Sequence, residues 1–177
     1  REGGIIWNTQ GSGKSLIMVW LTKWIIENIN DSRVVIITDR DELDDQIESL
    51  FIDVEEKVRR AKSCADLRSI LDKNEDAIVC SLIHKYGHNA GKQSDIDQYR
   101  KELLKDLPKD FKAKGNIIAF IDECHRPNSG KLHEAVKVLM PNAILIGFTG
   151  TPLLKTDKKS SIETFGTYIH TYKFDEG

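Results

Sequence analysis

The chain has 177 residues, 40% of them hydrophobic and 31% charged, with Lys+Arg 26 against Asp+Glu 28. That balance describes a soluble globular domain of ordinary size, excludes disordered and fibrous classes, and leaves no global basic field to draw it to nucleic acid. Cys64, Cys80 and Cys124 are scattered and odd in number, which suits free thiols in a reducing cytoplasm rather than a disulfide framework.

The chain opens "REGGIIW", without an initiator methionine and almost at once in a hydrophobic run, so it reads as a piece of a longer polypeptide. "GIIWN" is the first of five continuous apolar runs of strand length, the others being "RVVIIT", "DAIVCS", "NIIAFID" and "AILIGFT". Such runs are expected of strands buried on both faces of a parallel sheet. A helix is expected over Lys14 to Ile29. Its stretch "LIMVWLTKWIIENI" is broken by Lys23 and Glu27 and is too short to span a bilayer. No signal peptide is visible either. Trp20 and Trp24 lie four apart on this apolar helix, and core packing is expected of them in preference to base stacking.

After "RVVIIT" come helices over Asp41 to Phe51 and Ser63 to Leu71, the second opening on the cap pattern Ser63-x-x-Asp66. Between Lys85 and Lys114, eight Lys and Arg stand against five acids. That segment is a surface insertion or a contact for nucleic acid or another subunit. It holds a helix from Ser94 to Leu107, stopped by Pro108. A further helix runs from Lys131 to Met140 and ends at Pro141. Cys80, His84 and His88 recur every four residues, but Cys80 starts in a strand and a fourth ligand is lacking, so zinc is not expected. Strand-helix alternation of this kind gives a three-layer α/β/α sandwich around a mainly parallel sheet. Residues 1–153 form one domain, and the lysine-rich 154–177 reads as a linker leading away from it.

The segment "TQGSGKS" follows the first strand and opens the first helix, as a phosphate-binding loop must. The pattern G-x-x-x-x-G-K-S/T wants glycine where Asn8 stands. Gly11 and Gly13 nevertheless let backbone N–H groups approach phosphate oxygens, and the helix start turns its positive end to the same anion. Lys14 reaches the β- and γ-phosphates and the Ser15 hydroxyl reaches Mg²⁺. Asp122 and Glu123 close the run "IIAFID", at the strand end where ligands bind in open α/β sheets. One acid holds Mg²⁺ and the other activates water. Together the two motifs describe an ATP site.

"TQGSGKS", "DECH" and "GFTGTP" resemble motifs I, II and III of superfamily 2 helicases and translocases, where the position of Asn8 is commonly not glycine. With "ITDRDELDDQI", "FIDECHR", "SGKLHEA" and "GFTGTPL", the chain is most similar to the restriction subunit of type I restriction-modification enzymes, from about Gly3 to Phe174. The resemblance implies a RecA-like P-loop NTPase fold. It implies that Thr9, Gln10, Gly11, Ser12, Gly13, Lys14 and Ser15 hold ATP, with Ser15 and Asp122 on Mg²⁺ and Glu123 activating water. His125 would link this site to Thr149, Gly150 and Thr151, which pass the nucleotide state to the DNA-gripping surface. Thr38, Arg40, Ser81 and Lys85 would touch DNA phosphates, although Arg40 serves equally as a helix-capping ion pair.

The implied activity is ATP-driven translocation of double-stranded DNA, in a complex with methylation and specificity subunits in the cytoplasm. The nuclease and a second RecA-like domain would lie outside these residues, so the fragment alone should bind ATP weakly and hydrolyse it poorly. The alternatives are another superfamily 2 helicase or remodeller, or an ATP-sensing module that never turns over.

Overall fold

A computed structural model describes residues 3–9, 11–38, 41–73, 75–82, 107–108, 111–124, 135–151 and 162–172. The chain runs β1 (Gly4–Asn8), α1 (Lys14–Asn28), β2 (Ser32–Thr38), α2 (Asp41–Asp53), β3 (Val58–Arg60), α3 (Cys64–Asp72), β4 (Ile78–Leu82), β5 (Asn116–Ile121), β6 (Ile144–Thr149) and β7 (Tyr168–Tyr172). The strands form one sheet in the order β3-β4-β2-β5-β6-β1-β7, with every pairing parallel.

Connections that step one way along the sheet, β1 to β2 and β2 to β3, carry α1 and α2. Their buried side chains Met18, Val19, Ile25, Ile47 and Phe51 pack with Ile6, Val34, Ile36, Phe120 and Phe148 on one face. Connections that step the other way carry α3 and the helical segments 135–139 and 162–165, and Leu67, Leu71, Leu139 and Phe165 cover the opposite face. Opposite steps placing their helices on opposite faces is the division that one hand of crossover produces. The result is the expected three-layer α/β/α sandwich. β2 is buried at all seven of its positions, as a strand covered on both faces must be.

All five predicted strands form, and Ser63 caps α3 as its pattern implied, accepting from the Asp66 N–H at 3.1 Å. Three expectations need correction. First, Trp20 and Trp24 are not core residues: each is 56% exposed. α1 is apolar on every side, so periodicity could not choose its inner face, which is Met18, Val19, Thr22 and Ile25. Second, residues 154–177 are not simply a linker, because Tyr168–Tyr172 pairs with β1 as an edge strand. Third, the sheet gains β3, a strand of only three residues with two arginines. The helix expected over Ser94 to Leu107 lies outside the described residues except for its last position, and the start of the one expected from Lys131 also lies outside them.

At the amino-terminal edge of the sheet, Arg33 is 2% exposed and donates to four backbone carbonyls. These are Asp76 at 2.9 Å, Ile70 at 3.0 Å, Lys114 at 3.1 Å and Leu71 at 3.2 Å. α3 has no basic residue in its own last turn. The guanidinium therefore takes over the carbonyls that a helix end leaves unpaired. Gly115, at φ 86°, passes so close that a Cβ there would meet Arg33 Cδ at 2.8 Å.

Candidate active site: the glycine loop and the acid pair

The loop between β1 and α1 rests on two glycines in the left-handed region, Gly11 at φ 83° and Gly13 at φ 87°, where L side chains are disfavoured. A Cβ added to either would meet nothing within 4 Å. The glycines thus answer to backbone conformation, and the space above them is open. Ser12 closes the turn by donating to the Thr9 carbonyl, from N at 3.1 Å and from Oγ at 2.5 Å. Gly13 stands at the N-cap of α1 with no side-chain cap and no acid in the first turn. The first N–H groups of a 15-residue helix therefore face the loop with their partial positive charge available to an anion.

Asn8, in the position where the pattern wants glycine, is the last residue of β1 and 2% exposed. Among the described non-glycine residues only Asp31, Glu55 and Glu123 take positive φ. Asn8 is thus ordinary strand, and nothing in the backbone requires glycine there.

Lys14 joins the loop to the acids. Its Nζ lies 2.7 Å from Asp122 Oδ1 and 2.9 Å from Glu123 Oε1. Consecutive residues of a strand point to opposite faces, so this convergence needs a device. Glu123 supplies it by taking φ 49° just beyond β5, a conformation that strains a non-glycine residue and clusters at functional sites. The turn brings the second carboxylate round to the cation that already holds the first. The Asp122 side chain is 1% exposed and that of Glu123 19%. Burial pulls the Lys14 pKa down, but the charge and hydrogen bond of Asp122, then those of Glu123, outweigh it. The ammonium stands above its ordinary 10.5.

Backbone bonds tie this pair to neighbouring strands. Asp122 N donates to Ile37 O at 2.9 Å, and Cys124 N donates to Phe148 O at 3.1 Å. One residue beyond Phe148, the buried Thr149 hydroxyl donates to Thr151 O at 2.9 Å and accepts from Thr151 N at 3.3 Å. Burial, then the charges of Glu123 and Asp122, pushes the Cys124 thiol up to about 12. Its Sγ lies over β6, where a Cβ on Gly147 would meet it at 2.8 Å.

The loop residues Thr9, Gly11, Ser12, Gly13, Lys14 and Ser15 come together with Asp122 and Glu123 at the carboxyl ends of the parallel strands. Gln10, Arg40, Lys85, His125 and the histidines 84 and 88 lie outside the described residues. Thr38 and Ser81 need correction as phosphate contacts, since they are 0% and 1% exposed. Thr38 is the last residue of β2 and Ser81 the last but one of β4. Reading the sequence alone missed Arg33 and the turn at Glu123.

The residues suit Mg²⁺. A carboxylate buried as deeply as Asp122 requires a cation, and the Lys14 ammonium stands in for one at 2.7 Å. Asp122 and the half-buried Ser15 hydroxyl offer few, hard oxygen donors, the set Mg²⁺ takes when phosphates and waters complete its shell. Among the described residues, no group of three or more His, Cys, Asp or Glu could hold a metal by itself. No described helix is long and apolar enough to cross a membrane.

A profile of the SWI2/SNF2 ATPase family matches residues 1–177. A protein of Methanocaldococcus jannaschii named as the type I restriction enzyme MjaIXP endonuclease subunit is 34% identical over 178 residues, covering 99% of this chain and 16% of its own. The type I restriction enzyme HindI endonuclease subunit of Haemophilus influenzae is 29% identical over 195 residues, covering 99% and 17%. The chain thus spans about one-sixth of the length of these relatives. The Sulfolobus solfataricus SWI2/SNF2 ATPase core in complex with dsDNA superposes with a TM-score of 0.60 at 21% identity, covering 93% of this chain and 31% of that one. Helicase domains share the architecture, and the fold is RecA-like.

Proposed function

Because this chain belongs to the SWI2/SNF2 ATPase family, we propose that it is the first RecA-like domain of a motor that hydrolyses ATP to move double-stranded DNA. The observation that carries the reading is the Lys14 ammonium, shared at 2.7 and 2.9 Å between Asp122 and Glu123 at the mouth of the glycine loop. The relatives named above favour a type I restriction endonuclease subunit as the parent protein. Methylation and specificity subunits would then be its partners, and a nuclease outside these residues would cut the DNA.

When bound, Mg²⁺ with ATP supplies a polarised γ-phosphoryl group. The chain's own part is positioning and charge. Backbone N–H groups from Gly11 to Ser15 cradle the phosphates, and Lys14 exchanges its carboxylates for β- and γ-oxygens. Ser15 and Asp122 would hold the metal. Glu123, released from Lys14, accepts the proton of the attacking water, a role worth about 10²–10⁴-fold in rate. Cys124 N on Phe148 O connects this step to Thr149, Gly150 and Thr151, and from there to the DNA-gripping surface.

The test is displacement of a third strand bound to a DNA duplex, run with the intact polypeptide, its partner subunits and ATP. Release of the third strand with the duplex left paired supports translocation. Full strand separation would make the protein a helicase instead, and ATP binding with neither outcome would leave a nucleotide-sensing module.

A further inference from the structure

Thr38 ends β2 with its side chain fully buried and no hydrogen-bond partner for its hydroxyl. Buried polar groups are nearly always paired, so an orphaned hydroxyl calls for an explanation. Its place in the sheet supplies one. β2 and β5 are adjacent and parallel, with Ile36 beside Phe120 and Ile37 beside Ile121. One step further, Thr38 comes beside Asp122, whose N–H still donates to Ile37 O at 2.9 Å.

Side chains alternate along a strand, so Thr38 shares the face of Val34 and Ile36, and Asp122 that of Phe120. All three of those apolar residues pack in the cluster under α1 and α2. That is the face from which Lys14 reaches Asp122. Neighbouring strands lie about 4.8 Å apart, within reach of a hydroxyl and a carboxylate on adjacent residues. Asn8 also carries an unpaired buried oxygen, but β6 separates its strand from β5, and an amide oxygen cannot donate.

We propose that Thr38 is a positioning residue for Asp122, its hydroxyl donating to the carboxylate once Lys14 has turned to the phosphates. In the state described here Lys14 holds Asp122, and the hydroxyl waits without a partner. In the nucleotide state the Lys14 ammonium leaves Asp122, which must still keep one orientation toward the metal. Thr38 is a neighbouring donor on the same face. The inference rests on the ATP-site reading and gives the last residue of β2 a task that burial denies it as a surface contact for DNA.

The experiment compares the intact polypeptide with Thr38→Val, which keeps the shape and removes the hydroxyl, and Thr38→Ser, which keeps the hydroxyl. Two quantities are read: the unfolding midpoint without ligand, and the Mg²⁺ concentration that half-saturates binding of a fluorescent ADP. Thr38→Val should unfold at or above the wild-type midpoint, because it removes an orphaned polar group. It should need about 10–100-fold more Mg²⁺, the loss typical of a removed partner behind a metal ligand, and Thr38→Ser should restore the wild-type value. A Thr38→Val variant less stable without ligand would mean the hydroxyl is already bonded in the fold, and an unchanged Mg²⁺ requirement would mean it never serves Asp122. Either overturns the proposal while the ATP site stands. No Mg²⁺-dependent binding by the wild type would overturn the ATP reading, and this inference with it.

Discussion

Replacing Arg33 with Met keeps most of the buried aliphatic length and removes every donor. Four carbonyls on three chain segments lose the Arg33 donors, while that of Leu71 keeps the Lys114 N–H at 3.0 Å. Hydrogen bonds to a charged group are worth about 1.5–3 kcal/mol each. Against that sum stands the several kcal/mol already spent on burying the charge, which the substitution returns. The net loss expected is about 3–5 kcal/mol, at the upper end for single substitutions, where breaking a buried hydrogen-bond network belongs. For a domain of this size that lowers the melting midpoint by about 6–20 °C. Arg33→Lys keeps the charge but presents its donors from one point, which cannot span carbonyls of Ile70, Leu71, Asp76 and Lys114, so about half the loss should remain. Burial lowers the Arg33 pKa against the charges of Asp76 and Asp31. Arginine nevertheless stays protonated at any working pH, so the deficit should be flat from about pH 6 to 9. Chemical denaturation of both variants decides the matter. Midpoints within about 0.5 kcal/mol of wild type, the spread of ordinary surface changes, would refute the claim that this arginine holds α3 to the sheet.

Gly147→Ala places a methyl 2.8 Å from Cys124 Sγ and 3.2 Å from Phe165 Cγ. It should cost about 1–3 kcal/mol by overpacking, and adding Cys124→Ala should recover part of that in calorimetry. The Cys124 thiol should resist alkylation at pH 8 in the folded chain and react in denaturant, since its pKa is raised from 9.0 to about 12. A thiol raised on folding contributes stability that is complete below the unfolded value and is lost as pH rises from about 9 towards 12. Wild type should therefore lose midpoint over that window more steeply than Cys124→Ala.

The fold was legible because burial on both faces writes its strands as unbroken apolar runs, and "RVVIIT" became β2 with every position buried. β3 was not legible, since Val58, Arg59 and Arg60 form too short and too polar a run to signal a strand. β7 follows a lysine-rich stretch, and only its pairing with β1 gives it a place. The tryptophans of α1 misled because the helix is apolar on every side and the choice of inner face is tertiary. At the site, residue types and spacing identified Lys14, Asp122 and Glu123. Their convergence depends on one backbone angle at Glu123, which no spacing encodes. Arg33 went unnoticed because its partners are main-chain carbonyls, invisible in a string of side chains.

As a DNA-driven motor, the protein needs Lys14, Asp122 and Glu123 to form a hydrolytic ATP site. Phosphate release by the intact polypeptide with its partner subunits, with and without double-stranded DNA carrying a recognition site, tests it beside Glu123→Gln. DNA should stimulate release strongly in the wild type, and the variant should retain nucleotide binding with hydrolysis reduced about 10²–10⁴-fold. Nucleotide binding without DNA-stimulated phosphate release, or undiminished release by Glu123→Gln, would contradict it.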